Sequence, residues 1–306
     1  MENNKAKYSA YFFAGLAIAF WSTVSTAFKL SLRYQTSTQL LLGAALFSLI
    51  VITIFVIAQK KTVFLLQGSL RDIIRSALLG FLNPFLYYTV LLEAYDRLPA
   101  QEAQALNYIW AVMLALLAIP ILKQRPRLRD ISGVLLSFCG AVVIAFRGDF
   151  STMQFKEPVG VTLALVSTLI WAIFWLFNVR DKRDEVVKLF WIFVFGFMYI
   201  LIYAIAMGEI ALLDMYAWLG AGYVGLFEMG ITFIVWLMAL QRAKSAARIT
   251  NLIFLTPFIS LVIINLILKE RIALSTISGL VLIIGGILWQ QSSKALPESR
   301  VANDSD

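Results

Sequence analysis

The sequence predicts an all-α polytopic membrane protein, with ten transmembrane helices arranged as two inverted five-helix repeats. Three observations carry this. The chain of 306 residues is 60% hydrophobic and only 14% charged, and its mean hydropathy of +0.82 lies far from that of soluble domains. Its apolar residues gather into ten runs of span length. One run, LNYIWAVMLALLAIPILKQR from Leu106 to Arg125, is echoed 146 residues later by LIFLTPFISLVIINLILKER from Leu252 to Arg271.

A helix satisfies its backbone polar groups internally, so roughly 20 apolar residues suffice to cross the hydrocarbon. The first such run, near 11–32, follows MENNKAKYSA. Ser25-Thr26-Ala27 only loosely mimics a cleavage site, so this run reads as a retained helix and not as a signal peptide. The next four lie near 38–58, 73–95, 101–122 and 130–146. The second set lies near 159–179, 187–207, 216–240, 248–268 and 273–292. Residues 1–150 form the first repeat and 151–292 the second, and 293–306 form a polar cytoplasmic tail. The connections are short, which leaves no room for an attached soluble domain.

Basic residues report orientation. With the N-terminus in the cytoplasm, 19 of the 26 Lys and Arg residues fall on the cytoplasmic side, and both termini are expected there, in an inner (plasma) membrane. Lys123-Gln124-Arg125 then ends an inward-running helix and Lys269-Glu270-Arg271 an outward-running one. An odd number of helices, repeated in tandem, flips the second copy across the membrane. The echo continues beyond those stops, since Ser132-Gly133, Leu136 and Gly140 return as Ser278-Gly279, Leu282 and Gly286.

Composition also excludes functions. Histidine is absent and the single cysteine, Cys139, lies inside the fifth span, so neither a disulfide framework nor an ordinary His/Cys metal site is available. No Gly-rich phosphate loop followed by Lys-Ser/Thr occurs. The expectation is a carrier, not an enzyme, without cofactor, metal or nucleic-acid partner, and monomeric. Its partners are the bilayer and a small-molecule substrate.

Ionisable and polar groups inside spans are the candidate site. Glu228 lies mid-span among glycines, and three readings stand for it: a proton-binding group, an anchor for a substrate ammonium, or a packing carboxylate. In the first helix Trp21 opens a polar patch, and Ser22, Ser25, Thr26 and Lys29 follow helical spacing. Lys29 reads either as a receptor for a substrate carboxylate or as a snorkelling interfacial lysine. Gln101, Gln104, Asn107, Tyr108 and Ala111 lie on roughly one side of the fourth helix, with Trp110 adjacent, and read as a cavity wall. Trp171, Trp175 and Asn178 share a face of the sixth, suited to stacking an apolar ring or to packing. Pro84 and Pro257 are expected to bend the third and ninth helices as gates or packing kinks.

These stretches resemble the EamA branch of the drug/metabolite transporter superfamily. The resemblance rests on Trp21-Ser22-Thr23, Asn107-Tyr108-Ile109-Trp110, Leu169-Ile170-Trp171-Ala172, Leu255-Thr256-Pro257 and Lys269-Glu270-Arg271. Within the branch the chain is most similar to aromatic amino-acid exporters of the YddG type, through the spacing from Glu102 to Asn107-Tyr108-Ile109-Trp110. Ala111 stands where that pattern places proline, while Pro257 is kept in the second half. The resemblance implies a ten-helix carrier with a central cavity that exports amino acids or related metabolites. Nucleosides and drug-like compounds are the alternative cargo.

Overall fold

The computed structural model describes residues 2–65, 67–122, 128–149, 157–211, 214–243, 249 and 252–291, and among these every regular element is helical. Lys123-Gln124-Arg125, most of the linker between the halves and the 293–306 tail lie outside the described residues. Seven helices are long and apolar enough to cross a membrane. In chain order α1 is Glu2–Ser31, α2 Ser37–Ala58, α3 Leu70–Arg97, α4 Ala100–Ile121, α6 Pro158–Asn178, α7 Glu185–Ala206 and α8 Met215–Arg242. Three shorter apolar helices complete the set: α5 (Ile131–Ala145), α9 (Leu252–Leu268) and α10 (Leu274–Gln290). The start of the expected ninth span falls partly on undescribed residues, which accounts for part of its shortness.

Local chemistry sets the helix starts. Thr36 and Gln39 form a reciprocal capping box on α2. Asp184 accepts from the N–H groups of Val186 and Val187 at the start of α7, and Asp214 from that of Ala217 on α8. Pro158 occupies the first turn of α6, where the missing donor is not needed.

Four helices are interrupted. A π-helical segment, Phe81–Leu86, breaks α3 at Pro84, with Asn83 outside helical backbone geometry. Another, Gly225–Gly230, breaks α8 around Glu228. Helix α4 is broken at Tyr108–Ile109 between Ala100–Asn107 and Trp110–Leu122. The break forms without the proline that Ala111 replaces, because the Ile109 N–H tightens onto the Leu106 carbonyl at 3.1 Å. In α9 a 3₁₀ turn, Leu252–Leu255, precedes the regular helix. Pro257 thus stands in the first turn after the irregularity and not inside a bent helix.

The repeated Ser-Gly motif explains the tightest seam, between α5 and α10. A Cβ at Gly133 would lie 2.6 Å from the Gly286 carbonyl oxygen, and one at Gly279 would lie 2.6 Å from that of Gly140. Ser137 Oγ donates to the Ile283 carbonyl at 3.0 Å. Low-numbered residues of one helix meet high-numbered residues of the other, so the two run antiparallel. Small residues let the backbones close to this distance, as is common between helices in lipid.

The remaining packing comes in matched pairs. Helix α2 lies on α7. The contact of α3 with α6 has its counterpart in α8 with α1, that of α4 with α6 in α9 with α1, and that of α3 with α7 in α8 with α2.

Candidate functional site: a central aromatic cavity

The four interruptions surround one cavity of about 670 Å³, a size suited to a small organic solute. Two aromatic walls face it. On one, the Trp21 ring lies 5.9 Å from Phe233 and 5.5 Å from Trp236 between centroids. On the other, Trp171 lies 4.5 Å from Tyr87 and 5.8 Å from Trp175. Tyr108 and Trp110, at the α4 break, complete the lining with Ala111 and Thr256.

Glu228 reaches this space from the α8 π segment. Tyr88 Oη donates to its Oε1 at 2.9 Å, and among the described residues no Lys or Arg forms an ion pair with it. Tyr88 is itself buried and follows the α3 π segment. The two helix breaks therefore meet across the core through this one hydrogen bond. Ser25 and Tyr95 share a hydroxyl hydrogen bond of 2.8 Å. Asn107 donates to Ser167 Oγ at 3.1 Å and accepts from Tyr87 Oη at 3.4 Å.

Of the residues singled out from sequence, Trp21, Ser25, Gln104, Asn107, Tyr108, Trp110, Trp171, Trp175 and Glu228 line the cavity. Others do not. Lys29 lies beyond it in a second recess, its Nζ donating to the Tyr95 carbonyl at 2.6 Å and the Asp96 carbonyl at 3.3 Å. Asn178 is buried outside the lining, and its carbonyl accepts from Lys188 Nζ at 3.4 Å. Pro84 packs against Gly196 of α7. Pro257 is buried in α9.

The sequence reading missed Tyr87, Tyr95, Phe233, Trp236 and Thr256. Phe233 and Trp236 follow Glu228 by five and eight positions; in a regular helix the first spacing turns Phe233 about 140° away from Glu228, while the second stays on the broad i, i+4, i+7, i+8 stripe. The π segment inserts one extra residue per turn and brings Phe233 round to the same side. Nothing in the sequence marks that insertion except the pair Gly225 and Gly230.

Among the described residues, the cavity reaches the surface at one end. Val179 and Arg180, just past the end of α6, line it and are exposed. At the opposite end Leu98 and Ala100 are fully buried, and polar contacts within the first half and from it to the end of α9 hold the ends of α1, α3, α4, α5 and α9 together. The Glu270 carboxylate accepts from the backbone N–H groups of Ala100 at 3.1 Å and Gln101 at 3.4 Å, satisfying orphan donors at the α4 N-terminus. Gln101 donates to the Arg271 carbonyl at 3.0 Å and accepts from the Ala273 N–H at 2.9 Å. Arg147 pairs with Glu102 at 2.7 Å.

Beyond the open end of the cavity, the turn after α6 is fastened to the start of α3. Arg183 pairs with Asp181 at 2.5 Å and donates to Ser76 Oγ at 2.9 Å and the Asp72 carbonyl at 3.1 Å. Burial pushes the Asp181 carboxyl up, but hydrogen bonds and charge from Arg183, helped by Arg75, outweigh it and hold the group below the usual carboxylate range. Asp184 is held low in the same way, burial being outweighed by Lys61 at 2.6 Å and the α7 N–H groups.

The sequence profile of the EamA-like transporter family matches residues 8–146 and again 158–290. The chain belongs to the EamA-like transporter family. Similar proteins include an "Uncharacterized transporter" of Archaeoglobus fulgidus, 23% identical over 281 residues that cover 89% of this chain and 95% of that one. The "Uncharacterized transporter YdfC" of Bacillus subtilis is 24% identical, covering 90% of this chain and 88% of its own. A chain of known crystal structure superimposes with a TM-score of 0.64 over 93% of this chain and 98% of its own, at 19% identity, a likeness that bears on the fold alone. This EamA-like transporter is thus a multi-span membrane protein whose breaks in α3, α4, α8 and α9 frame a solute-sized cavity.

Proposed function

We propose that this EamA-like transporter is a secondary carrier that moves a small amphipathic solute out of the cytoplasm by alternating access, built as two inverted five-helix repeats with ten crossings. The observation that carries the reading is the cavity closed at one end by contacts between the halves and reaching the surface at the other. The antiparallel α5–α10 seam and the matched helix pairs support the inverted arrangement. The bias of basic residues puts the open end at the cytoplasm and both termini there, in the plasma membrane, so the arrangement described is inward-facing.

The cargo proposed from the family resemblance is a neutral or aromatic amino acid or a similar metabolite, with nucleosides or drug-like compounds as the alternative. Trp21, Ser25, Asn107, Tyr108, Trp110, Trp171 and Trp175 contact it in this reading, and Glu228 binds its ammonium or a proton. Lys29 is not assigned a substrate carboxylate, since two backbone carbonyls already hold it at the closed end.

The test is counterflow in proteoliposomes preloaded with unlabelled amino acids, following uptake of labelled phenylalanine, threonine and alanine. Exchange that depends on internal substrate is expected, and Glu228→Gln should reduce it at least about tenfold, the order set by losing one buried charge contact. Wild-type rates in that variant at every pH would remove Glu228 from the mechanism. No exchange of any amino acid by folded protein would turn the cargo question to the alternative compounds.

A further inference from the structure

Charge is distributed unequally in the cavity. Among its described lining residues only Glu228 and Arg180 are ionisable to a charge near neutral pH, and they stand apart in depth. Arg180 is exposed at the mouth, where its guanidinium donates to the Ile121 carbonyl at 2.9 Å. Glu228 lies deeper, with one protein hydrogen bond at 2.9 Å from Tyr88 and no ion-pair partner among the described residues. A carboxylate offers about four acceptor positions, so most of its capacity faces the cavity. The same cavity is lined by the rings of Trp21, Phe233, Trp236, Trp171 and Tyr87.

A site made of aromatic faces and one acid attracts cations, through the negative ring faces and through the carboxylate itself. A zwitterion asks for more, because its carboxylate needs a cation or several donors once it leaves water. Lys29 cannot supply them. It lies in the outer recess, with its Nζ on the Tyr95 and Asp96 carbonyls, and the buried Ser25–Tyr95 pair stands between it and the cavity.

We infer that the central cavity selects an aryl-alkyl ammonium ion, bound with its charge at Glu228 and its ring between the Trp21 and Trp171 walls, over the matching zwitterionic amino acid. The inference deepens the carrier reading by naming its cargo class and rests on that reading only for the solute's passage, not for its binding.

A charge series on one ring tests it. Purified wild-type protein is loaded with labelled phenethylamine, and unlabelled phenethylamine, phenylalanine and 3-phenylpropionate compete. The amine should displace the label at about one tenth the concentration of phenylalanine or less, and the anion should not displace it, a ranking set by cation–π attraction and an unmatched carboxylate. Because the series is run on the unmodified protein, the result does not depend on any variant folding. In Glu228→Gln of wild-type elution profile, the preference for the amine should collapse. Absence of saturable amine binding, or phenylalanine competing as well as the amine, would overturn the inference and point to backbone N–H groups at the α4 and α9 breaks as carboxylate receptors.

Counterflow of the membrane-impermeant cation phenethyltrimethylammonium separates the two readings. The amine ranking without any counterflow would uphold the site inference and sink the carrier reading. Phenylalanine exchange without an amine preference would do the reverse.

Discussion

The π segments of α3 and α8 are counterparts in backbone and opposites in chemistry. In α3 the break carries Pro84 and backs onto α7, where a Cβ at Gly80 would lie 2.8 Å from the Gly196 nitrogen. In α8 it carries Glu228 and backs onto α2, where a Cβ at Gly225 would lie 2.7 Å from the Phe47 Cβ. Proline makes the first break by removing a donor. Two glycines permit the second, and Ser48 Oγ donates to the Gly225 carbonyl at 2.9 Å. The two segments therefore share where a helix breaks and that it presses on a neighbour there, while only the α8 segment carries a charge. In the proposed carrier the shared part would serve helix movement and the unshared one substrate choice.

The comparison is broken most severely at the seam where equivalent glycines make equivalent contacts. Gly279→Leu and Gly133→Leu should each destabilise the fold by about 3 kcal/mol, and by similar amounts, since each new Cβ meets a glycine carbonyl of the facing helix at 2.6 Å. Melting in detergent, read by size-exclusion recovery, measures both. Clearly unequal losses would show that the seam is not symmetric in energy.

A smaller effect, about 2 kcal/mol, is expected from Arg183→Met, which strips the partner from a nearly buried Asp181. The same ion pairs set an acid dependence. Asp181 and Asp184 have folded pKa values below the ordinary 3.8. Their stabilisation is full above that ordinary value and is lost as pH falls through the depressed ones. The wild-type melting temperature should be level from neutral pH to about 5 and drop below about 4, and Arg183→Met should drop less. An equal acid-induced fall in the variant would take Asp181 out of the account.

Ser48→Ala sharpens the comparison from the α8 side. It removes the hydroxyl on the Gly225 carbonyl and should cost about 1 kcal/mol by thermal melting, with no counterpart at the proline break. The smallest change is Gly285→Ala, where a Cβ would meet nothing within 4 Å. Its stability by thermal melting should match wild type to within about 0.5 kcal/mol, which separates glycines of the seam from glycines merely in the membrane.

Much of the fold was legible because lipid leaves helices few alternatives. The apolar runs match α1 to α4 and α6 to α8 within a few residues, and the repeated Ser-Gly motif marks the seam that it forms. Glu228, Asn107, Tyr108 and the Trp21, Trp110, Trp171 and Trp175 rings were legible too, because polar groups and tryptophans inside spans are conspicuous. Lys29 and Asn178 misled because helical spacing gives a face but not a depth along the axis. Lys29 shares the Ser25 face yet sits beyond the Ser25–Tyr95 pair.

By itself, the sequence determined an all-helical membrane chain, a repeated Ser-Gly motif, and a carboxylate inside an apolar span, since all three are read from composition and spacing. Tertiary structure decided that Phe233 and Trp236 join Glu228 on one wall, that the α4 break needs no proline, and that Glu270 seals one end by capping a helix of the other half. Each of those depends on where an extra residue enters a turn or on which backbone donors lie across the core. Such facts arise between helices, and no periodicity within one helix encodes them.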